Sequence, residues 1–401
     1  MTADFEGHLP GSPGYRRITI SLFLAGVATF ALLYSTQPLL PLLADEFALS
    51  PAVAALSVSF ATAGLGAALL VAGPLSEVIG RTPLMHASLF AAATVAILGG
   101  LAPGWHGLLA LRLIEGVVLA GLPAVAMAYL AEEVHPSATA RVAGLYIGGT
   151  AIGGMSGRLV TGGLAELGGW RAALIGIGLL CLACAVTVRF LLPRSRRFTP
   201  APASAGHLVA AARRILRDPG FLALFAIGGT SMGAFVGIFN AMGFRLMAPP
   251  YSFTVGVVGL VFLTYALGSV SSTYAGRAAS RWGSRAVMPI SVGLMLVGML
   301  GTLLEPVWAV VAALALMTAA FFAVHGVASG WVAARAARGG AAKGQASSGY
   351  LFSYYAGSSV FGAVAGTAWS SGGWIAVVGL CSVLVTLTLV CALLLRRIPM
   401  A

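Results

Sequence analysis

Charged side chains are scarce in this sequence. Asp, Glu, Lys and Arg make up 8% of the 401 residues, whereas 59% of the residues are hydrophobic. A soluble domain carries charge at roughly a quarter of its positions. Because so few charges cannot cover a water-exposed surface, the composition excludes a soluble globular protein and predicts that lipid surrounds most of the chain.

Signals for a β-barrel, a metal site and a nucleotide site are also missing. The apolar runs last about 20 residues and do not alternate over about 10, as barrel strands do. Cys181 and Cys184 have CxxC spacing but lie in an apolar run without other ligand types, so we interpret them as small helix residues. The phosphate-binding pattern GxxxxGK[ST] does not occur. We therefore expect no cofactor, no metal and no bound nucleotide.

Long apolar runs predict an all-α integral membrane protein of twelve transmembrane helices. A helix needs about 20 apolar residues to cross roughly 30 Å of hydrocarbon. The runs that are long enough cover residues 18–43, 51–73, 84–102, 107–130, 142–164, 171–192, 220–246, 254–276, 286–304, 307–331, 345–367 and 374–395. The first of them is too long for a cleavable signal peptide.

The basic residues indicate how the chain is oriented. With the N-terminus in the cytoplasm, all but four of the 23 Lys and Arg residues fall in cytoplasmic segments or at their edges, as the positive-inside rule requires. The exceptions are Arg112, Arg158, Arg171 and Arg245. We expect a bacterial inner-membrane protein with both termini in the cytoplasm. The net charge of +12 is spread over these segments and does not form one basic face, so nucleic acid is not an expected partner.

Three short patterns occur twice, about half the chain apart. Residues 73–81 resemble 276–285 at an offset of 203, residues 60–66 resemble 262–268 at 202, and the Gly-Gly-Trp of 168–170 recurs at 372–374. The longest connection lies between the copies. We predict two pseudo-symmetric six-helix bundles, 1–192 and 220–401, joined by a basic cytoplasmic linker, 193–219. Parallel repeats of this kind are typical of transporters that bind substrate between their halves.

The first copy of the repeated loop joins the second and third spans. Gly73 and Gly80 permit a tight connection, and Glu77 and Arg81 are spaced to pair at i,i+4. The segment resembles the G-x-L-x-D-x-x-G-R loop of the major facilitator superfamily. This resemblance implies the two-bundle fold and a cytoplasmic gate that latches the halves together; the alternative is a loop that only orients the chain. The gate residues expected from the second copy are Gly276, Arg281, Gly283 and Arg285.

Two charges lie inside the fourth apolar run, in the string Arg112-Leu-Ile-Glu115-Gly116. A charge within the bilayer costs about 2.5–3.5 kcal/mol even on the lenient insertion scale, so it indicates function. The string resembles the R-x-x-Q-G motif of proton-coupled members of the same superfamily, with Glu115 in place of glutamine. The resemblance implies that Arg112 takes part in proton coupling, and Glu115 is then the carboxyl expected to exchange the proton. A static buried ion pair is the alternative.

The fifth run carries glycines at four-residue spacing and a third buried charge. Small residues at this spacing let another helix approach closely, and the run resembles the G-x-x-x-G-P-x-x-G-G element of antiporters. It departs from that element at Gly154, where proline is expected, and at Arg158. We expect Arg158 to join Arg112 and Glu115 in proton coupling. The residues expected to pack helices are Gly149, Gly153, Gly154 and Gly157.

Two amides occupy equivalent positions in the repeat, Gln37 in the first span and Asn240 in the seventh. They could face a central cavity and bind a polar substrate, or they could hydrogen-bond between helices. Tyr34, Tyr265 and Tyr354 are further candidates for the cavity wall. The string Tyr34-x-x-Gln37-x-x-x-Pro41 resembles the first span of arabinose-efflux-permease-like members, in the drug:proton antiporter-like branch of the superfamily, although it lacks the acid that many drug:proton antiporters have in this span.

These patterns predict a secondary transporter and not an enzyme. The leading hypothesis is a proton-coupled efflux antiporter for a small organic solute or drug, with alternating access between the two halves. A proton symporter or facilitator that imports a nutrient is the alternative within transporters, and a membrane-embedded enzyme is a distant one. The expected partners are a small-molecule substrate, protons and the lipid bilayer, and we expect a monomer.

Overall fold

The computed structural model describes residues 7–198, 205–338 and 343–398. Within these ranges the chain has ten helical segments that are long and apolar enough to cross a membrane. Two of the ten are each two helices joined at a glycine pair, so the twelve predicted spans are present. Spans 1 to 12 cover Pro13–Glu46, Pro51–Ile79, Arg81–Gly100, Trp105–Glu133, 136–167, 170–191, Pro219–Met247, Val255–Trp282, Ser284–Gly301, Val307–Arg338, 343–371 and 374–394.

The sequence repeat is also a repeat of backbone conformation. Gly80 (φ 100°, ψ 158°) and Gly283 (φ 84°, ψ 144°) end spans 2 and 8 in the same way. Gly169 and Gly373, with φ of 73° and 61°, separate spans 5 and 6 and spans 11 and 12. A positive φ favours glycine because a Cβ atom is strained there. The repeated glycines therefore fix equivalent turns in the two halves.

Capping residues determine where spans 1 and 7 begin. Ser12 accepts a hydrogen bond from the Tyr15 backbone N–H (3.2 Å), and Pro13 occupies the first helical turn. Asp218 caps span 7 in the same manner, ahead of Pro219. Proline suits the first turn because the N–H that it lacks would have no helical partner there. Span 1 therefore begins five residues before the predicted boundary at 18.

Three spans are interrupted within the bundle. Span 1 breaks after Leu33 and resumes with the 3-10 turn Gln37–Leu39, span 4 breaks between Leu119 and Pro123, and span 8 contains the 3-10 turn Leu260–Tyr265. Irregular backbone at membrane depth is tolerated where protein buries it or where it lines a cavity. The breaks in spans 1, 4 and 8 therefore indicate that these segments lie in the interior of the bundle.

The glycines of span 5 differ in what they contact. A Cβ atom on any of three of them would overlap the backbone of span 1, at Phe23 for Gly149, at Val27 for Gly153 and at Ala31 for Gly157. Gly154 points elsewhere, and a Cβ there would lie 3.3 Å from Nη1 of Arg158. Spans 1 and 5 thus touch through backbone along one glycine stripe, and Gly154 leaves room for a side chain.

The linker contains a helix that the apolar runs do not reveal. It covers Ala205–Leu216, with Arg213 and Arg214 in its last turn. Residues 193–219 were predicted only as a connection, because a short helix with basic residues gives no transmembrane signal. Part of the predicted linker, 199–204, lies outside the described residues.

Candidate functional site

Arg112 and Glu115 form an ion pair deep in the first half. Nη1 of Arg112 donates to Oε2 of Glu115 at 2.6 Å, and the two side chains are 1% and 2% exposed. The i,i+3 spacing places both groups on one face of span 4. Oε1 of Glu115 is buried and has no hydrogen-bond partner among the described residues.

Arg112 is also bonded to the break in span 1. It donates to the carbonyl oxygens of Leu32 (3.2 Å) and Leu33 (2.6 Å), to Oγ of Ser35 (3.3 Å) and to the carbonyl of Ser57 in span 2 (3.0 Å). The last carbonyls of a helix have no partner within the helix. Arg112 supplies hydrogen-bond donors to these carbonyls where span 1 stops. Each of its three nitrogens thereby has an acceptor.

Gln37 and Asn240 are brought together across the two halves. Nε2 of Gln37 donates to Oδ1 of Asn240 at 2.7 Å, and Nδ2 of Asn240 donates to the carbonyl of Gly362 in span 11 at 3.2 Å. Oε1 of Gln37 accepts from Nε of Arg158 at 2.6 Å. We call Arg158, Gln37, Asn240 and Gly362 the seam network. Because arginine can only donate, every hydrogen bond in it runs in one direction, from Arg158 to Gly362.

Arg158 belongs to the seam network and not to the Glu115 ion pair. Its Nη1 donates to the carbonyl of Gly154, and its guanidinium carbon lies over the rings of Tyr34 (4.3 Å), Tyr265 (4.7 Å) and Phe262 (5.1 Å). None of its hydrogen bonds or ion pairs within the described part of the chain involves a carboxylate. The three-charge cluster expected from sequence is therefore not formed, because the two arginines face different neighbours.

An aromatic cluster from the second half surrounds Tyr265. The rings of Phe235, Phe239 and Phe262 lie 5.2–5.9 Å from that of Tyr265, and Phe235 stacks on Phe321 at 3.9 Å. The sequence predicts Tyr265 as a candidate for the cavity wall but does not indicate the phenylalanines. The i,i+4 spacing of Phe235 and Phe239 on span 7 is the one signal that could have indicated them.

Tyr354 lies at the edge of this cluster. Its ring is 6.3 Å from that of Phe321, 4.7 Å from the imidazole of His325 and 5.2 Å from Tyr355. It is 9% exposed, and it contacts the aromatic cluster without bonding to the seam network. The structure thus places Tyr354 beside the central residues and not among them.

The loops of the gate motif lie on the side of the bundle that also holds the linker, which we call the terminal side. Arg81 pairs there with Glu77 (2.8 Å), as its spacing predicts, and also with Glu132 at the end of span 4 (2.8 Å). It further donates to Oγ of Ser76 at 2.5 Å. Glu132 is not predictable from the sequence, because nothing in its spacing links it to the loop.

The second gate loop makes its own contacts within the second half. Arg285 donates to the carbonyl of Ile398 at 2.5 Å, and the guanidinium of Arg281 lies 5.7 Å from the ring centroid of Trp282. Nothing lies within 4 Å of a Cβ atom added to Gly73 or Gly276. No hydrogen bond or ion pair joins residues 73–81 to 276–285, both of which the structure describes, so the predicted latch between the halves is not formed in this conformation.

Bonds between the halves lie instead on the side away from the termini. Oγ of Ser59 in span 2 donates to the carbonyl of Ser359 in span 11 at 2.6 Å, and Thr62 and Ser359 share a hydroxyl hydrogen bond of 2.7 Å. Glu166, at the end of span 5, accepts from the backbone N–H of Gly256 at 2.9 Å. The conformation is therefore closed on that side.

No three His, Cys, Asp or Glu side chains cluster as metal ligands within the residues that the structure describes. The four cysteines are free thiols, and Cys181 and Cys381 are buried.

Comparison with known proteins agrees with this architecture. The family model for the Major Facilitator Superfamily matches residues 22–256. The inner membrane transport protein YnfM of Escherichia coli is 45% identical over 364 residues, which cover 91% of this chain and 87% of YnfM. The MFS-type transporter YybF of Bacillus subtilis is 40% identical over 370 residues, which cover 92% of this chain and 91% of YybF.

Solved structures share the fold at low sequence identity. A bacterial homologue of the human lysosomal transporter Spinster, in an inward-facing and occupied conformation, superposes with a TM-score of 0.79 at 14% identity and covers 97% of this chain and 98% of its own. The nucleoside transporter NupG gives a TM-score of 0.74 at 14% identity, covering 95% and 99%. The chain therefore belongs to the Major Facilitator Superfamily and is a membrane transporter, not an enzyme.

Proposed function

We propose that this protein is a proton-coupled efflux antiporter of the inner membrane, with both termini in the cytoplasm, that exports a small organic solute. The inner-membrane location is supported by the name of the relative YnfM. Residues 1–192 and 220–401 would form the two halves that rock about a site in the middle of the membrane. The hydrogen bonds that join the halves away from the terminal side then belong to the inward-open state.

The position of Glu115 carries the proposal of proton coupling. The sequence has 11 acidic residues, and the others lie at span ends or outside the spans. Glu115 is 2% exposed, and its Oε1 lacks a hydrogen-bond partner among the described residues. A buried carboxylate with one free oxygen can accept a proton without breaking a second bond.

A series of direct contacts connects Glu115 with the seam network. Protonation of Glu115 would remove the partner charge of Arg112, which also holds the Leu32 and Leu33 carbonyls at the break in span 1. Tyr34 and Gln37 follow that break directly. A shift of Arg112 would thus move the segment that contacts Arg158, which supplies a physical route from proton to substrate.

One feature favours export. The glycines of span 5 contact the backbone of span 1 along the stripe that resembles the antiporter element, and this stripe holds the Tyr34 and Arg158 sides of the site together. Such a contact suits helices that slide past each other at close range.

The test measures proton movement in membrane vesicles. Solutes that protect an efflux-deficient host expressing the protein are added to inside-out vesicles with an acidic interior, and a pH-sensitive dye reports the gradient. An antiporter releases protons from the interior when substrate enters. A symporter carries both species the same way and deepens the acidity.

Glu115→Gln is the decisive variant. We expect it to lose substrate-driven proton movement and to keep substrate exchange in the absence of a gradient, because the site remains but the titrating group is gone. Glu305→Gln, which changes an exposed acid between spans 9 and 10, is the matched control and should behave as the wild type. Full proton-driven transport by Glu115→Gln would exclude the proton role of Glu115.

A further inference from the structure

Arg112 and Arg158, the two arginines of the first half with the least exposure, have very different hydrogen-bond partners. Each of the three nitrogens of Arg112 donates to an acceptor, and one of these is a carboxylate. Arg158 donates from Nε to Gln37 and from Nη1 to a carbonyl, and its Nη2 has no acceptor among the described residues. A guanidinium has five N–H donors and stays charged in a protein. Within the described ranges, Arg158 is thus a buried cation without a carboxylate partner.

The hydroxyl groups around Arg158 also lack partners. Tyr34 and Tyr265, whose rings lie against its guanidinium, have buried hydroxyls without a hydrogen-bond partner within the part of the chain that the structure describes. Buried polar groups are normally paired. A single group that only accepts hydrogen bonds and carries negative charge could bind both tyrosine hydroxyls and the guanidinium of Arg158.

The surroundings of these donors are apolar and aromatic. Phe262 lies 5.1 Å from the guanidinium carbon, and its ring stacks at 5.3 Å on Phe239. Sites for organic ligands combine an apolar wall with a few polar groups that fix orientation. An inorganic ion would gain nothing from contact with such a wall, and Arg158 would repel an organic cation.

The donors come from both halves of the transporter. Tyr34 and Arg158 belong to spans 1 and 5, whereas Tyr265 belongs to span 8. A ligand that bonds all of them would bridge the halves, as alternating access requires of a substrate.

We propose that Arg158 recognises the charge of the transported solute, and that this solute is an organic anion, such as a carboxylate or sulfonate, with an aromatic or similarly apolar body. The assignment rests on the proposed transport function and deepens it by naming the charge of the cargo. It does not depend on proton coupling or on the direction of transport.

Binding to the purified full-length protein at constant pH, with no gradient, tests the proposal. The probes form two matched sets, each with one body and three charges: benzoate, benzamide and benzylammonium, and 4-phenylbutyrate with its amide and its amine. A further anion, 1-naphthalenesulfonate, tests the sulfonate group. Isothermal calorimetry reports affinity and size-exclusion chromatography reports folding. We expect the anions to bind and the neutral and cationic members of each set to bind at least about 10-fold more weakly, because hydrogen bonds to charged groups are the strong ones.

Variants assign this preference to the residues. Arg158→Gln should weaken anion binding by about 10- to 100-fold, Arg158→Lys should retain part of it, and Tyr265→Phe, which loses only a hydroxyl, should weaken it by a smaller factor. Arg277→Gln removes an exposed arginine and is the control for net charge. Binding is measured without a proton gradient, so that a failure of proton coupling in vesicles is distinguishable from a failure of this assignment.

Four results would overturn the proposal. They are equal binding of the amide or amine probes, anion binding that Arg158→Gln and Tyr265→Phe leave unchanged, competition by chloride or phosphate as effective as that by the organic anions, and no binding of any anionic probe to folded protein.

Discussion

The side chains of Gln37 and Asn240 meet at 2.7 Å although 203 residues separate them. They occupy equivalent positions of the internal repeat, so the pair lies on the pseudo-symmetry axis between the halves. Gln37 and Asn240 are 1% and 2% exposed. Their contact is therefore both a bond between the halves and the support on which Arg158 is held.

Replacing Gln37 by glutamate should give Arg158 a carboxylate partner inside the protein and so neutralise its charge. The new carboxylate would take the place of an amide oxygen that already lies 2.6 Å from Nε of Arg158. An internal ion pair competes with an anionic ligand for the same guanidinium. We expect Gln37→Glu to bind benzoate or 4-phenylbutyrate about 10- to 100-fold more weakly than the wild type, measured by calorimetry.

Asn240→Asp is the control for this substitution. It adds the same charge at the other end of the Gln37–Asn240 hydrogen bond. The new carboxylate would face the amide N–H of Gln37, whereas the guanidinium of Arg158 lies on the other side of Gln37. Anion binding by Asn240→Asp should exceed that by Gln37→Glu. Equal losses in the two variants would mean that added charge alone, and not its contact with Arg158, controls binding.

The glycine stripe of span 5 predicts different results for neighbouring glycines. A methyl group on Gly153 would overlap the backbone of Val27, whereas nothing lies within 4 Å of a Cβ atom on Gly148. We expect Gly153→Ala to lower the free energy of unfolding by about 1–3 kcal/mol, the usual cost of overpacking, and to reduce transport.

Gly148→Ala makes the same chemical change in the same helix and should be tolerated. Unfolding by titration with SDS gives the free energies, and vesicle uptake gives the activity. If the two variants are equally stable, the close approach of spans 1 and 5 is not required for stability.

Some of this architecture follows from sequence because its cause is local. Hydrophobic length predicts the twelve spans, and the recurrence of a glycine pair predicts equivalent turns at Gly169 and Gly373, since only glycine adopts these backbone angles without strain. The repeat likewise predicts that Gln37 and Asn240 are equivalent, although not that they bond to each other directly.

The partners of Arg158 and Arg81 were harder to predict because they come from distant segments. Phe262 reaches Arg158 from the other half, and Glu132 reaches Arg81 from a helix end 51 residues away. Such contacts depend on which helix faces meet, and in lipid both the buried and the exposed faces are apolar. The hydrophobic pattern that orients helices in a soluble protein is therefore missing.

The two acids beside Arg81 should contribute unequally. Glu132 accepts from both Nε (3.0 Å) and Nη2 (2.8 Å), and its side chain is 22% exposed. Glu77 accepts one bond, and its side chain is 36% exposed. Because exposure weakens an ion pair, we expect Glu132→Gln to cost about 1–3 kcal/mol and Glu77→Gln no more than about 0.5 kcal/mol.

SDS titration of the two variants, each against the wild type, measures these costs. The double variant should cost about as much as Glu132→Gln alone if Glu77 is a minor partner. A larger effect of Glu77→Gln would show that the i,i+4 pair within the motif, and not the contact with span 4, holds Arg81.

Asp218 should make stability depend on acid pH. Burial disfavours its charged form, but hydrogen bonds from the Arg335 guanidinium and the Gly220 backbone N–H outweigh this effect and hold the pKa of the Asp218 carboxyl below its ordinary value. A carboxyl whose pKa is lower in the folded state stabilises the fold above its unfolded pKa, near about 3.9. That stabilisation is lost as the pH falls through the folded pKa.

We therefore expect the midpoint of thermal unfolding to fall as the pH drops from about 4 to 3, with Asp218 contributing about 1 kcal/mol. Asp218→Asn keeps a side chain that can cap span 7 but cannot titrate, so it should be less stable at neutral pH and should lose this part of the pH dependence. Asp45→Asn, at an exposed position, should retain it. Identical pH profiles of Asp218→Asn and the wild type would mean that the Arg335 ion pair does not contribute to stability.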